Sequence, residues 1–127
     1  MFEDERGPIT RFEWGRFEIY GEVHSEDGEG VGKDVFVFGN RVLPWSARKG
    51  HRLTPEMVDC VLKEKIDVLV IGNGVNGAIK VTKKTRKAVR KAGIAELIIE
   101  ATPDACATYN RLVYEGRQVA LLAHGTC

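Results

Sequence analysis

Hydrophobic and polar positions follow two different periods along this chain, and the change of period divides it into two parts. In the first third, apolar residues recur at every second position, which is typical of strands with one buried face. Residues 9–14 and 17–23 flank Gly15-Arg16 and are predicted to form an antiparallel hairpin. Residues 24–33 are polar and glycine-rich, and predict a solvated turn before a short strand over 34–39.

Beyond a predicted loop over 43–53, helical and strand patterns alternate to the last residue. The predicted order is a helix from Thr54, a strand over Ile66–Ile71, a glycine loop over Gly72–Gly77, an extended piece over Ala78–Val81, a helix from Thr82 to Gly93, a strand over Glu96–Ala101, a helix from Thr102 to Gly116 and a strand over Gln118–Ala123. Such alternation predicts an α/β domain with a parallel sheet and right-handed crossovers.

The chain has 127 residues, which predicts one domain over 1–127 with residues 1–7 as a flexible tail. No leader-like segment opens the sequence, and no apolar run is long enough to cross a bilayer, so no membrane role is expected. Cys60, Cys106 and Cys127 are an odd count without a C-x-x-C pair. This pattern argues against disulfides and favours a reducing, cytoplasmic location.

The net charge of +1 conceals an asymmetry along the chain. Residues 1–30 hold nine acidic side chains against three arginines, whereas residues 80–91 hold seven basic side chains and no acidic one. A bipolar surface of this kind argues against a nucleic-acid-binding protein whose overall positive electrostatic field attracts the nucleic acid. Monomer and homo-oligomer both remain open.

The glycine loop has the spacing G-x-G-x-x-G directly after an apolar strand, where open parallel sheets bind their ligands. Glycines let backbone N–H groups approach an anion closely. The dinucleotide fingerprint requires a helix to begin inside the loop. Here the extended piece over Ala78–Val81 intervenes and the helix begins only at Thr82, so no cofactor is predicted. Gly72, Asn73, Gly74 and Gly77 are candidate ligand-binding residues, and a purely structural turn is the alternative.

Candidate catalytic side chains are His51, His124 and Cys127, since the last two follow the final strand and should reach the same edge of the sheet. No acidic residue is visible in the sequence that would orient either imidazole. A metal site built from these three lacks the paired ligand spacing of zinc sites, so no metal is predicted.

The helix over 82–92 presents a broad basic face. Its members are Lys83, Lys84, Arg86, Lys87, Arg90 and Lys91. A solvated face is the simplest interpretation, but lysines in a first turn oppose the helix dipole. An anion or acidic partner docking there would explain the misfit, and the acidic first third or its copy in another subunit is one such partner. RNA binding is disfavoured because no aromatic residues interleave with the cations.

Several motifs together resemble a known family. They are Gly50-His51 ahead of a Leu-x-Pro-Glu helix start, Val70–Ala78, Tyr109-Asn110 with Gly116-Arg117, and the final His124-Gly125-Thr126-Cys127. The family, which is largely of unknown function, includes the adipogenesis-associated domain protein, mitochondrial complex I assembly factor 3 and short archaeal and bacterial proteins. The resemblance implies a three-layer β/β/α fold and no established catalysis.

The resemblance adds Asn110 and Thr126 to the candidate ligand-binding residues. The chain departs from the family pattern at Lys49-Gly50, where a hydroxyl residue is common, and at Gly125, where an aliphatic residue is usual. The function predicted from these observations is a binding or assembly module, whose cleft at the carboxyl ends of the strands takes a protein partner or a small anion. A small enzyme using His51 or His124 is the alternative, and a nucleic-acid binder through the helix over 82–92 is the second.

Overall fold

A computed structural model describes all residues from Met1 to Cys127 and contains two larger sheets and one small one. The four-stranded sheet is antiparallel, with its strands in chain order: β1 (Phe2–Glu3), β2 (Ile9–Glu13), β3 (Arg16–Ile19) and β4 (Glu22–Ser25). The turn between β3 and β4 is tight because Tyr20 and Gly21 both have positive φ, 51° and 77°.

The five-stranded sheet carries the parallel core. Its strands are β5 (Asp34–Phe38), β6 (Arg41–Pro44), β8 (Val68–Gly72), β10 (Glu96–Glu100) and β11 (Val119–His124), in the spatial order β10-β8-β11-β5-β6. β10, β8 and β11 are parallel, whereas β5 and β6 join antiparallel on the β11 side. β7 (Arg52–Leu53) and β9 (Lys80–Val81) form the small parallel sheet.

The helices lie on both faces of this sheet. They are a 3₁₀ helix (Pro55–Val58), α1 (Asp59–Leu62), α2 (Lys83–Lys91) and α3 (Thr102–Tyr114). The chain crosses from β8 outward to β10 and then returns past β8 to β11. Because right-handed crossovers in opposite directions place their helices on opposite faces, α2 and α3 are separated by the sheet.

Two hydrophobic cores follow from this layering. One lies between the five-stranded sheet and a layer formed by the four-stranded sheet and α3, and it includes Phe12, Phe17 and Tyr109. The other lies between the opposite face and the layer of α1, α2 and the small sheet, and it includes Trp45, Ile71 and Val89. β8 is buried at every position because both cores cover it. The predicted α/β fold is confirmed.

Several element predictions were wrong for identifiable reasons. The strand predicted over 17–23 is divided by the Tyr20-Gly21 turn, and residues 24–25 belong to β4 rather than to a solvated turn. The loop predicted over 43–53 contains the last two residues of β6 and the whole of β7. Residues 1–7 were predicted as a tail, but they include β1, which pairs with β2.

Of the threonines predicted to begin helices, only Thr82 makes a capping hydrogen bond. Thr82 caps α2, since its hydroxyl accepts the Thr85 N–H at 3.2 Å. Thr54 makes no such bond, and the helix after it is only one 3₁₀ segment and one α-turn. α3 begins at Thr102 with Ala101 as its N-cap, and the Thr102 hydroxyl is used for tertiary contacts.

His24 is a buried imidazole on β4, in a region predicted to be solvated. Its Nδ1 accepts the Val31 N–H at 2.9 Å, and its Nε2 has no partner. Gly30 has to be glycine, because a Cβ there would lie 2.2 Å from His24 Nδ1. The folded loop over 26–33 therefore depends on a neutral His24.

We expect His24 to make the protein less stable in mild acid. Burial lowers the pKa of His24, with Glu22 opposing this effect. The unfolded chain takes up a proton below about pH 6.5 that the folded protein still excludes, so the free energy of unfolding decreases as pH falls from there towards the folded-state pKa. His24→Asn keeps an acceptor for Val31 and does not titrate. Thermal unfolding of this variant should lose part of the pH dependence, and an unchanged profile would assign it to other groups.

Candidate functional site

The glycine loop (Gly72–Gly77) lies against the last two residues of the chain. The N–H groups of Val75 and Asn76 donate to the Thr126 and Cys127 backbone oxygens at 3.1 and 3.0 Å, and Ala78 N–H donates to the Cys127 oxygen at 3.4 Å. The donors that the sequence predicts for an external anion are thus paired with oxygens of the chain itself.

Thr102 completes this closure from the start of α3. Its hydroxyl accepts the Gly74 N–H at 3.0 Å and donates to the His124 carbonyl oxygen at 2.7 Å. The loop has little space to spare, since a Cβ on Gly74 would lie 2.8 Å from the Cys127 carbonyl carbon. Gly72, Gly74, Thr102 and Thr126 are all buried. We call this hydrogen-bonded unit the terminal clasp.

His124 is oriented by an acid that the sequence did not reveal. Asp34 Oδ1 lies 2.5 Å from His124 Nδ1, and Thr126 Oγ1 lies 3.1 Å from His124 Nε2. Arg48 Nε lies 3.1 Å from the same Asp34 oxygen, within ion-pair distance but without hydrogen-bond geometry. Acid, imidazole and hydroxyl are connected in the order found in nucleophilic triads, but His124 is only 2% exposed.

The Thr126 hydroxyl extends this network to Cys127, whose Sγ lies 3.8 Å away. The sequence places Asp34 at the start of an apolar strand but does not show which residue it faces. Its partner, however, is fixed by the antiparallel register of β5 and β11, which pairs Asp34 with His124. No group of three or more His, Cys, Asp or Glu residues is placed to hold a metal ion.

His51 lies apart from this network, in an exposed cleft at the same edge of the sheet. Ile79 N–H donates to the backbone oxygen of Asn73, and Lys80 N–H donates to the backbone oxygen of His51. The segment after the glycine loop therefore connects the end of β8 to His51. The cleft has a volume of about 680 Å³ and is lined mainly by basic side chains. We call it the basic cleft, and its basic members are His51, Arg52, Lys80, Lys83 and Lys84.

The walls of the basic cleft are held in place from within. The Thr85 hydroxyl donates to the Leu53 oxygen at 2.7 Å and lies 2.8 Å from the Thr82 hydroxyl, which fixes the first turn of α2 against β7. Arg52, Lys80 and the six basic residues of α2 take part in none of the ion pairs within the chain. The Lys84 charge makes a small contribution to the lowered pKa of Glu56, which comes mainly from a backbone hydrogen bond.

Asn110 is placed away from the glycine loop, within α3. Its Oδ1 accepts the Ile9 N–H at 3.0 Å, and its Nδ2 donates to the Ile9 oxygen at 2.7 Å and to Asp4 Oδ2 at 3.0 Å. The amide is 1% exposed, and it joins α3 to the four-stranded sheet. Of the predicted site residues, the structure brings together the glycine loop, His124, Thr126 and Cys127, while His51 and Asn110 lie elsewhere.

Comparison with known proteins identifies the family. A family model described as a protein of unknown function (DUF498/DUF598) matches residues 9–124. The chain belongs to this family. The match covers nearly the whole chain, including the glycine loop and the residues of the basic cleft, and it ends before Thr126 and Cys127.

Curated relatives of this DUF498/DUF598 chain are complex I assembly factors. NADH dehydrogenase [ubiquinone] 1 alpha subcomplex assembly factor 3 of Rattus norvegicus is 35% identical over 78 residues, which are 60% of this chain and 41% of the relative. The protein of the same name from Homo sapiens is 31% identical over 78 residues, with the same shares. The matching region therefore spans about two fifths of each relative's length.

Solved structures share the fold. A conserved hypothetical protein from Pyrococcus horikoshii OT3 has a TM-score of 0.77 at 21% identity, covering 94% of this chain and 98% of its own. A protein described as an outer membrane protein from Bartonella henselae has a TM-score of 0.75 at 24% identity, covering 94% of this chain and 95% of its own. In the present chain, no helix is both long and apolar enough to span a bilayer.

Proposed function

We propose that this protein is a binding module for assembly, and that its basic cleft binds an anionic group of a partner protein or a small anion. One observation carries the proposal: the cations around the cleft are exposed and have no acidic partner within 4.0 Å in the chain. The named function of the curated relatives, assembly of complex I, supports a protein partner. Three free cysteines support a reducing compartment such as the cytoplasm.

The first turn of α2 gives this proposal its physical reason. Lys83 and Lys84 stand where a cation opposes the helix dipole, at a cost of roughly 0.3–1 kcal/mol each. A chain selected for stability alone would place acidic or neutral side chains there. An anion bound in the cleft would pair with both lysines and with the free N–H groups of the first turn, which turns an unfavourable charge into a favourable one.

Neutralising these two lysines should therefore raise stability and weaken binding together. We expect Lys83→Gln/Lys84→Gln to increase the free energy of unfolding in low salt by about 1 kcal/mol in total. The variant should therefore unfold at a higher temperature than the parent. Citrate and pyrophosphate should stabilise the parent in a saturable manner and the variant much less, since a ligand of the folded state raises the melting temperature.

A charge-matched variant provides the control. Arg11→Gln/Arg111→Gln removes two exposed cations from the layer of the four-stranded sheet and α3. Its response to citrate and pyrophosphate should equal that of the parent. If both double variants respond equally, or if neither anion stabilises the parent, the basic cleft is not the binding site.

Acyl transfer at Thr126 is the second candidate function, favoured by the geometry of Asp34, His124 and Thr126. In such a reaction the Thr126 oxygen would attack the acyl carbon of an ester or amide and pass its proton to His124 Nε2, while Asp34 holds the imidazole by Nδ1. The bond from the acyl carbon to the alcohol or amine would then break, and the leaving group would take that proton from His124. The burial of His124 and Thr126 opposes this candidate, because a substrate would have to displace the terminal clasp.

A fluorophosphonate probe separates the two functions. An active hydroxyl should be labelled on Thr126, and labelling should vanish in Thr126→Val and His124→Asn. Absence of labelling at high probe concentration, with binding of anions intact, would leave the binding module as the function.

A further inference from the structure

The exposed face of α2 continues the basic cleft and ends at a second cavity, four of whose six lining residues are hydrophobic. Arg86 and Arg90 line this cavity, which has a volume of about 270 Å³. Its other lining residues are Val89, Ile94, Ala95 and Leu97. We call it the apolar notch. Because α2 rises by about 1.5 Å per residue, its basic face extends over roughly 12 Å from Lys83 to Lys91 and includes residues of both the cleft and the notch.

We infer that this surface docks an acidic protein segment carrying one aliphatic side chain, with carboxylates along α2 and the aliphatic group in the apolar notch. The inference rests on the proposed function and specifies its partner. Two chemistries adjoin on the surface, since α2 presents six exposed cations and two of them, Arg86 and Arg90, line a cavity together with four aliphatic side chains. Arginine pairs with a carboxylate through two parallel hydrogen bonds, which positions a chain as well as attracting it.

The same surface is poorly suited to nucleic acid. Proteins that bind single strands stack bases on aromatic side chains, and the notch is aliphatic. The exposed aromatic residues Trp14, Tyr20 and Tyr114 all belong to the layer of the four-stranded sheet and α3, across the five-stranded sheet from α2. The nine acidic residues within 1–30 would repel a phosphate backbone, whereas a short acidic segment makes only local contacts.

Peptide binding tests the inference directly. The probe is a labelled synthetic peptide in which glutamates surround one leucine, and its pair has serine in place of leucine. By fluorescence anisotropy we expect the leucine peptide to bind about tenfold more tightly than the serine peptide, since the notch removes one aliphatic side chain from water. Arg86→Gln/Arg90→Gln should weaken the leucine peptide by about tenfold or more, and Ala95→Glu should remove the preference for leucine.

The controls separate this inference from the proposed function. Arg11→Gln/Arg111→Gln carries the same charge change and should bind the leucine peptide within about twofold of the parent. If citrate or a single-stranded RNA binds and is lost in Lys83→Gln/Lys84→Gln, but neither peptide binds, the inference is overturned while an anion-binding cleft stands. If no anionic probe binds, both fail. Salt-sensitive self-association that Arg86→Gln/Arg90→Gln abolishes would assign the surface to a second copy of the chain and also overturn the inference.

Discussion

Gly74→Val should be the most damaging single substitution at the terminal clasp, with a loss of about 3 kcal/mol or more in the free energy of unfolding. Gly74 has a φ of 107°, which side chains rarely adopt, and a Cβ there would lie 2.8 Å from the Cys127 carbonyl carbon. The substitution would push the chain end away from the glycine loop and release the bonds from Val75 and Asn76. Chemical denaturation, monitored by circular dichroism, measures the loss.

Gly116→Ala separates the two causes in this prediction. Gly116 also has a positive φ, 76°, but a Cβ there would meet no atom within 4 Å. Its substitution should therefore cost only the backbone strain, about 1 kcal/mol. If Gly74→Val costs no more than Gly116→Ala, the chain end moves freely and the glycine loop is open to a ligand after all.

Asn110→Leu should produce the second large loss, about 2–4 kcal/mol, although the leucine side chain has the same number and branching of heavy atoms as asparagine. The amide satisfies both the N–H and the carbonyl oxygen of Ile9, which is fully buried at the start of β2. Leucine would leave both groups without partners and would also break the contact with Asp4. The hydrogen bond from Asn110 helps to keep the pKa of Asp4 below its usual value, after the larger effect of the Arg6 backbone N–H.

Asn76→Leu is the matched control, since Asn76 is exposed and its side chain has no hydrogen bond within the chain. It should change the free energy of unfolding by about 0.5 kcal/mol or less. Hydrogen exchange gives a second reading of Asn110→Leu: protection should be lost first in β1 and β2, which α3 no longer holds. Equal loss across the five-stranded sheet would mean that Asn110 supports the whole fold instead.

The sequence predicted the parallel half of the protein well because there the local signals agree. Val68–Ile71 is continuously apolar, the cap at Thr82 is a local hydrogen bond, and each helix lies between strands at short distance in the chain. It predicted the antiparallel half less well, because turns such as Tyr20-Gly21 depend on a residue type that seldom adopts positive φ. The family resemblance supplied the layer order, and the positions of the two cores on either side of the five-stranded sheet agree with it.

By itself, the sequence determined the α/β class, the position of the glycine loop and the separation of acidic and basic surfaces, since periodicity and charge are properties of consecutive residues. Only the tertiary structure decided which backbone oxygens accept the N–H groups of the glycine loop, which acid contacts His124 and which cations have no ion-pair partner. Those outcomes depend on residues far apart in the chain: Gly74 meets Cys127, and Asp34 faces His124 across β5 and β11. Such register and packing follow from the whole core, because no short segment contains both partners.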